Sequence, residues 1–219
     1  MSIATSVKDA LAHPFGTQFA PQMAISHYRH GAWEPLRTVP YGPIPLLPSA
    51  HVLHYASTIF EGLKAHRHSD GSVQIFRLDR HMARFANSAS MLYLPHPGID
   101  AVTSGLIELV GDSRDWVPEQ PGSLYIRPTL IGTEPSIGAA ARPSREACLY
   151  ILLSPVGDYF ESGLKPLHIL IDDNAMRTSP AFGMAKTGGN YASALGHILR
   201  AREAHQTNQV LFAPGGDVQ

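Results

Sequence analysis

The chain has 219 residues, of which 44% are hydrophobic and 16% are charged, and its formal net charge is −1 at pH 7. This composition is typical of a folded globular protein and argues against a disordered one. A nearly neutral chain offers no strong electrostatic surface, so we expect neither nucleic acid nor an anionic membrane as a partner. No apolar run approaches the ~20 residues that a membrane-spanning helix needs.

The N-terminal segment and the cysteine content favour a cytoplasmic location. Residues 1–16 lack the basic start and the long apolar stretch of a signal peptide. The single Cys148 cannot form an internal disulfide, and its apolar neighbours predict a buried thiol. The histidines lack the spacing of a zinc site, so no metal is predicted.

The first half of the chain predicts a mixture of strands and helices. Residues 24–37 predict two short strands around a His-Gly turn, and residues 72–78 predict a strand after an Asp-Gly turn. Apolar residues recur at helical spacing in 79–94, with Asp79 as the N-cap and a proline at the end. A second helix is predicted from Asp100 onward.

The second half predicts three more strands, a helix and a hairpin. The strands are expected at 123–132, 146–156 and 166–172, which are rich in β-forming residues. A helix is expected directly after Lys186. Its apolar residues are Tyr191, Leu195, Ile198 and Leu199. Residues 209–219 predict a strand, a turn and the start of a returning strand; an interrupted hairpin leaves an open sheet edge, so we expect the chain to be incomplete.

The overall class is therefore mixed α/β (α+β). A loop-like stretch at 154–166, between the strands predicted at 146–156 and 166–172, divides the chain. We expect a small N-terminal α/β domain at 1–154, an interdomain loop at 155–165, and the first part of a larger domain at 166–219.

Lys186 is one of only four lysines, and it lies between small apolar residues and a pair of glycines. A solvated loop lysine is the commoner interpretation of such a residue taken alone. Apolar neighbours and the positive end of a following helix nevertheless favour a neutral amine, which is the form that attacks an aldehyde. The residues themselves leave both interpretations open.

Three further charged residues are ambiguous in the same way. Arg84 lies off the apolar face of its helix, where it is either solvated or able to hold a phosphate. Arg127 interrupts an apolar strand, so it either pairs with a carboxylate or binds an anionic ligand. Glu61 is a candidate general base, although a salt bridge is the commoner role of a lone carboxylate.

Several segments occur together, in order, in a known family: HVLHYASTIFEGLKAHR, FRLDRHMARFANSA, YIRPTLIG, SPVGDYF and AKTGGNYASAL. From about His27 onward the chain resembles the branched-chain amino acid aminotransferases. These are fold-type-IV enzymes that depend on pyridoxal 5′-phosphate. The ordered set of segments is far more specific than any one motif.

The resemblance implies roles for individual residues. Lys186 would form the Schiff base with the cofactor aldehyde and then act as general base, Tyr191 would hydrogen-bond the phenolic oxygen, and Arg84 would hold the phosphate. Val156 stands where some relatives carry tryptophan, which changes one wall of the substrate pocket. The implied pocket residues are Tyr55, Phe60, Gly62, Tyr125, Arg127 and Tyr159.

The implied reaction is transamination of leucine, isoleucine and valine with 2-oxoglutarate. The loop at 133–138 would reach the active site of a partner subunit, which implies a homodimer. The family pattern places a cofactor-binding glutamate directly after Gln219. We therefore expect the missing part to be present as another chain or to be disordered, and the chain alone to show negligible activity. D-amino acid aminotransferases, aminodeoxychorismate lyases and an inactive cofactor-binding fragment are the alternatives.

Overall fold

The structure is a computed structural model that describes residues 4–157 and 166–218. Its strands are β1 (Gln22–Arg29), β2 (Ala32–Trp33), β3 (Arg37–Pro40), β4 (Thr58–Phe60), β5 (Leu63–Arg67), β6 (Val73–Ile75), β7 (Ser123–Gly132), β8 (Ala147–Val156), β9 (Ile169–Asp172) and β10 (Gln209–Phe212). Its helices are α1 (Val7–Leu11), α2 (His51–Tyr55), α3 (Leu78–Met91), α4 (Ile99–Asp112) and α5 (Gly188–His205). None of the helices in these ranges is both long and apolar enough to cross a bilayer.

An eight-stranded antiparallel sheet forms the main body of the fold. Its order is β2-β1-β8-β7-β5-β6, with β3 added to β1 and β4 added to β7. Strands β7 and β8 pair along their whole length, from Ser123↔Val156 to Gly132↔Ala147. They confirm the strands predicted at 123–132 and 146–156, and β1 and β2 confirm the hairpin predicted within 24–37.

The two faces of this sheet have different roles. One face packs against α3 and α4 and forms the main hydrophobic core. Because side chains alternate along a strand, the neighbouring residues point to the opposite face. That face carries Phe60 on β4 and both Tyr125 and Arg127 on β7. The core residues of the first face include Ile59, Leu63, Leu124, Ile126, Leu130, Leu149, Ile151, Met82, Phe85, Leu106 and Leu109.

Helix α3 confirms the predicted helix but not its predicted cap. The residue at the N-cap is Arg77, with φ of 50° and no side-chain capping bond, and Asp79 lies inside the first turn. The Asp79 carboxylate instead faces two cations, at 3.8 Å from Arg77 Nε and 3.5 Å from Arg80 Nε. The prediction of Asp79 as N-cap was wrong, because the helix begins two residues earlier than that cap implies.

Helix α4 was predicted correctly, and the strand before α3 was predicted too long. Residues Val102, Leu106 and Leu109 of α4 are fully buried, as their spacing indicated. Strand β6 covers only the middle of the predicted strand at 72–78, since Phe76 and Arg77 already form the turn into α3.

The C-terminal region contains a second, two-stranded sheet. Strands β9 and β10 pair in parallel, with Gln209 opposite Ile169 and Phe212 opposite Asp172, and α5 connects them. Strand β9 lies within the predicted strand at 166–172. Strand β10 and the 3-10 turn at Pro214–Gly216 confirm the strand and the turn predicted within 209–219, and the returning strand stays a prediction.

Helix α5 begins directly after Lys186 and Thr187, as predicted, but it buries a different face. Its predicted apolar residues Tyr191, Leu195 and Leu199 are 49%, 54% and 44% exposed. The side chains that it buries are those of Asn190, Ala194 and Ala201.

The division into two domains stays a prediction. Strand β8 continues to Val156, so the first residues of the predicted loop at 155–165 are extended and paired. Residues 158–165, including Tyr159, lie outside the described residues.

Candidate active site

The main chain of Lys186 lies along the edge of strand β4. The Phe60 amide donates to the Lys186 carbonyl oxygen at 3.0 Å, and Ile59 and Thr187 form an antiparallel bridge. The Lys186 amide donates to Ser88 Oγ on α3 at 2.9 Å. These contacts place a loop residue between a strand of the main sheet and the helix behind it.

The Lys186 amine meets two aromatic side chains. Its Nζ donates to the Tyr191 hydroxyl at 2.8 Å and lies 4.8 Å from the centre of the Phe60 ring. The Phe60 and Tyr191 rings are themselves 5.3 Å apart. The structure therefore brings together three residues that the family resemblance assigns to the cofactor and the substrate pocket.

Arg127 is held by aromatic rings. Its guanidinium carbon lies 4.6 Å from the centre of the Phe60 ring and 5.2 Å from that of Tyr125. Its Nη2 and Nε donate to the Tyr125 hydroxyl at 2.8 and 3.2 Å. Within the described ranges no carboxylate forms a salt bridge with Arg127, so its charge is available to an anion.

Gly62 provides the space that the Tyr125 ring occupies. A Cβ atom at position 62 would lie 2.0 Å from the Tyr125 hydroxyl oxygen and 2.8 Å from its Cζ. Any larger residue at this position would therefore displace the ring that accepts from Arg127.

Arg84 forms a bidentate ion pair with Glu61 beneath this site. Arg84 Nε and Nη2 donate to the carboxylate at 2.5 and 2.7 Å, and Glu61 is completely buried. Burial alone would raise the pKa of Glu61, but the hydrogen bonds from Arg84 and His81 outweigh burial and hold the pKa below its ordinary value. Glu61 is thus a salt-bridge partner, as the commoner interpretation held.

Arg84 keeps part of its side chain free for another ligand. The side chain is half exposed, and Tyr191 lies within electrostatic range of its charge. The ion pair uses Nε and Nη2, which leaves Nη1 as a further donor. Arg84 is therefore fixed by a buried carboxylate while facing the Lys186 site.

Two predicted pocket residues are not seen in this cluster. Tyr55 packs on His51, with ring centres 4.8 Å apart, and its hydroxyl donates to the Ile137 carbonyl oxygen. Its contacts in the described part of the chain are thus with α2 and the loop at 133–138. Tyr159 lies outside the described residues.

Sequence reasoning missed Phe15. Its ring packs edge-on against Tyr125 at 5.1 Å, and both line a cavity of about 650 Å³ that also includes Lys64 and Val156. Phe15 lies in an N-terminal loop without periodicity, so no local signal indicated this contact.

The family model for amino-transferase class IV matches residues 58–218. The chain belongs to this family. It is 42% identical over 193 residues to branched-chain-amino-acid transaminase 1 of Bacillus subtilis (strain 168), covering 86% of this chain and 54% of that protein. It is also 42% identical to a probable branched-chain-amino-acid aminotransferase of Streptomyces coelicolor, covering 84% and 52%.

Solved structures of branched-chain amino acid aminotransferases share the fold. A branched-chain amino acid aminotransferase from T.th., solved with pyridoxamine 5′-phosphate, superposes with a TM-score of 0.67 at 26% identity. The match covers 87% of this chain and 59% of that one. The same enzyme complexed with N-(5′-phosphopyridoxyl)-L-glutamate also gives a TM-score of 0.67, at 25% identity over 87% and 58% of the two chains.

The chain spans about half the length of the curated relatives that it matches. The mixed α/β class is confirmed, and the fold is that of the fold-type-IV aminotransferases.

Proposed function

We propose that this chain contributes the lysine-bearing part of a pyridoxal 5′-phosphate-dependent transaminase that acts on branched-chain L-amino acids and 2-oxoglutarate. The observation that carries the proposal is the contact of the Lys186 amine with the Tyr191 hydroxyl and the Phe60 ring. The class IV family match and the branched-chain relatives support it.

The side chains of this site fit pyridoxal 5′-phosphate. An amine suits its aldehyde, a phenol suits its ring oxygen, and a guanidinium suits its phosphate. Lys186, Tyr191 and Arg84 supply these groups, and the Glu61 ion pair fixes the last of them. The cofactor supplies an electron-withdrawing ring that stabilises negative charge at a substrate α-carbon.

Lys186 would transfer the substrate α-proton, and Tyr191 would hold the Lys186 amine in position. The Lys186 amine, once neutral, can accept a proton from the substrate α-carbon and return it to a neighbouring atom. Tyr191 hydrogen-bonds that amine at 2.8 Å and so restricts its position. The Phe60 ring covers one side of the amine and limits access of water.

Arg127 explains how one pocket can accept both an aliphatic and an acidic side chain. The Phe60 ring offers an apolar surface to a leucine-like chain. The Arg127 guanidinium, fixed beside the same ring by Tyr125, offers hydrogen bonds to the second carboxylate of glutamate or 2-oxoglutarate.

We further propose a cytoplasmic homodimer, together with a further polypeptide segment that packs against this chain beside the candidate cofactor site. The exposed apolar residues of α5 and β9, such as Leu195 and Ile171, support a covering segment. Burial raises the pKa of the Cys148 thiol to about 12, which fits an inert thiol in a reducing compartment.

Covalent trapping tests the assignment of Lys186. The purified chain is mixed with pyridoxal 5′-phosphate, reduced with borohydride and digested, and the modified peptide is identified by mass spectrometry. We expect covalent labelling of Lys186 in the wild-type chain and in Lys64→Ala. In Lys186→Ala the corresponding peptide should carry no label. Preferential modification of another lysine would contradict the proposal.

Turnover separates the substrate classes. Any preparation with transaminase activity should use leucine with 2-oxoglutarate in preference to D-alanine, and Lys186→Ala should abolish that activity with little loss of stability. A preference for D-alanine would favour a D-amino acid aminotransferase.

A further inference from the structure

Three buried polar side chains surround the main chain of Lys186. Ser88 is 0% exposed, Thr187 is 1% exposed and Asn190 is 4% exposed. Buried polar groups are costly unless they are hydrogen-bonded, so the partners of these three side chains show what their burial achieves. All three bond to main-chain atoms, either of the segment at 182–186 itself or of the strand beside it.

Ser88 connects the lysine to helix α3. Its Oγ accepts from the Lys186 amide at 2.9 Å. Ser88 lies one helical turn after Arg84 and therefore on the same side of α3. A single helix thus fixes both the lysine and the arginine of the candidate cofactor site.

Thr187 connects the lysine to strand β4. It occupies the N-cap position of α5, where a threonine hydroxyl ordinarily accepts from the first turn of the helix. Here it makes no capping bond, and its Oγ1 donates to the Thr58 carbonyl oxygen at 2.6 Å. The hydroxyl therefore secures the lysine segment to the main sheet.

Asn190 secures the loop on the other side of the lysine. Its Nδ2 donates to the carbonyl oxygens of Phe182 and Ala185 at 3.0 and 2.9 Å. Because Asn190 lies in the first turn of α5, these bonds fold the loop back onto the start of the helix.

Apolar packing contributes little to this loop. Met184 is 73% exposed, and Ala181 has φ of 64°, in the left-handed region that a residue with a Cβ atom rarely adopts. Ala185 is the apolar residue of the loop that is buried. The hydrogen bonds of the three polar side chains therefore act together with the main-chain bond from Phe60 to restrain the main chain that carries Lys186.

We propose that Ser88, Thr187 and Asn190 are positioning residues that hold the main chain of Lys186 so that its amine stays against Tyr191 and Phe60. This inference rests on the proposed function of Lys186. Since correct placement of a reacting group lowers the entropic part of its barrier, loss of these bonds should slow the reaction of the amine.

Matched variants test the role of the hydroxyls. Ser88→Ala and Thr187→Val each delete one hydroxyl near Lys186, whereas Thr187→Ser keeps it. Ser26→Ala is the control. Ser26 is 3% exposed, its Oγ donates to the Glu34 carbonyl oxygen at 2.6 Å, and it lies on β1, which pairs with β2, β3 and β8. All variants are compared at a temperature where circular dichroism shows them folded.

Two quantities are measured: amide hydrogen exchange at Lys186 without cofactor, and the rate of borohydride-trapped modification of Lys186 by pyridoxal 5′-phosphate. In the modification, the amine condenses with the aldehyde and releases water, and borohydride then reduces the new C=N bond. We expect faster amide exchange in Ser88→Ala. We also expect ~3-fold to ~10-fold slower modification in Ser88→Ala and Thr187→Val, the range for loss of one hydrogen bond.

Thr187→Ser and Ser26→Ala should react at the rate of the unmodified chain. Equal rates in all variants, or equal slowing in Ser26→Ala, would overturn the positioning role while leaving the assignment of Lys186 intact. If Lys186 of the wild-type chain is not labelled at all, both the proposed function and this inference are overturned.

Discussion

An arginine within an apolar strand is costly unless its guanidinium group finds partners, and Arg127 finds them in aromatic side chains. Its guanidinium stacks against Phe60 and donates to the Tyr125 hydroxyl. Neither group neutralises the positive charge. Arg127 is thus fixed in position while its charge stays available to a ligand, which is the state expected of a residue that recognises a carboxylate.

Replacing Arg127 with alanine should therefore affect dicarboxylates selectively. Loss of one charge-assisted hydrogen bond costs ~1.5–3 kcal/mol, so preference for 2-oxoglutarate over 4-methyl-2-oxopentanoate should fall by about tenfold or more. In an active preparation, the ratio of the two kcat/KM values measures this preference. Where turnover is absent, the ratio of the two binding affinities measures it. Equal losses for the two acids would mean that Arg127 is structural.

Gly62 permits the same arrangement by leaving room for the Tyr125 ring. We expect Gly62→Ala to destabilise the chain by ~1–3 kcal/mol, the usual cost of overpacking, because the ring must move away from a Cβ atom at 2.0 Å. Gly111→Ala is the control: it lies in α4 with no atom within 4 Å of its Cβ position. Chemical denaturation should show Gly111→Ala at or above the stability of the unmodified chain, and a similar loss in the two variants would contradict the steric argument.

At the scale of elements, the bounds of strands and helices were predicted best where the local residue pattern agrees with the residues that are buried. Strands β7 and β8 are long, rich in β-forming residues and buried, so their bounds were predicted almost to the residue. Helix α5 was found, but not its buried face, because Asn190 is buried by bonds to a loop that the pattern cannot show. The parallel pairing of β10 with β9 was not predicted, because it joins segments far apart in the chain.

The same distinction applies to the candidate site: most of its residues could be named from the sequence, but its contacts between distant segments could not. Lys186, Tyr191 and Phe60 were named from a family resemblance, and they do meet. The pairing of Arg84 with Glu61 joins α3 to the turn after β4 and could not be chosen from the sequence among the other ion pairs. Phe15 was missed because only the folded N-terminal loop brings it to Tyr125.

The loop after β7 is held by an ion pair between Glu134 and Arg142, and this pair should make stability depend on pH. Arg142 donates to both Glu134 carboxylate oxygens at 2.5 and 2.7 Å, and this pairing lowers the pKa of Glu134 from 4.5 to about 2. A carboxyl whose pKa is lower in the folded state stabilises that state above its unfolded pKa. The contribution of Glu134 is therefore present above about pH 4.5 and is lost as the pH falls to about 2.

Glu134→Gln should weaken this acid dependence. Between about pH 4.5 and the lowest pH at which the chain stays folded, its free energy of unfolding should fall less steeply than that of the unmodified chain. Glu203→Gln, which removes an exposed carboxylate from α5, is the control. Parallel pH profiles for Glu134→Gln and the unmodified chain would show that the Arg142 pair contributes nothing to folding.

At the scale of the whole molecule, the two sheets differ in how much surface they bury. The main sheet packs its core face on α3 and α4, and its other face carries a second apolar cluster that includes Met23, Ile25 and Cys148. The β9–β10 pair has only two strands, and Ile169 and Ile171 are 52% and 66% exposed. An isolated pair of strands is marginally stable in water, so the C-terminal region must depend on α5 for most of its support.

We therefore predict that residues 166–218 open far more often than the main sheet. Local unfolding follows the number of buried apolar contacts, and protection of backbone amides reports it directly. In amide hydrogen exchange, amides of β9 and β10 should exchange at least ~10-fold faster than those of β7 and β8, even where all four strands are hydrogen-bonded. A polypeptide that covers the exposed side of α5 and β9 should slow the exchange of β9 and β10 and leave β7 and β8 unchanged. Equal protection of the two sheets in the chain alone would mean that the C-terminal region is stable as it stands and needs no covering segment.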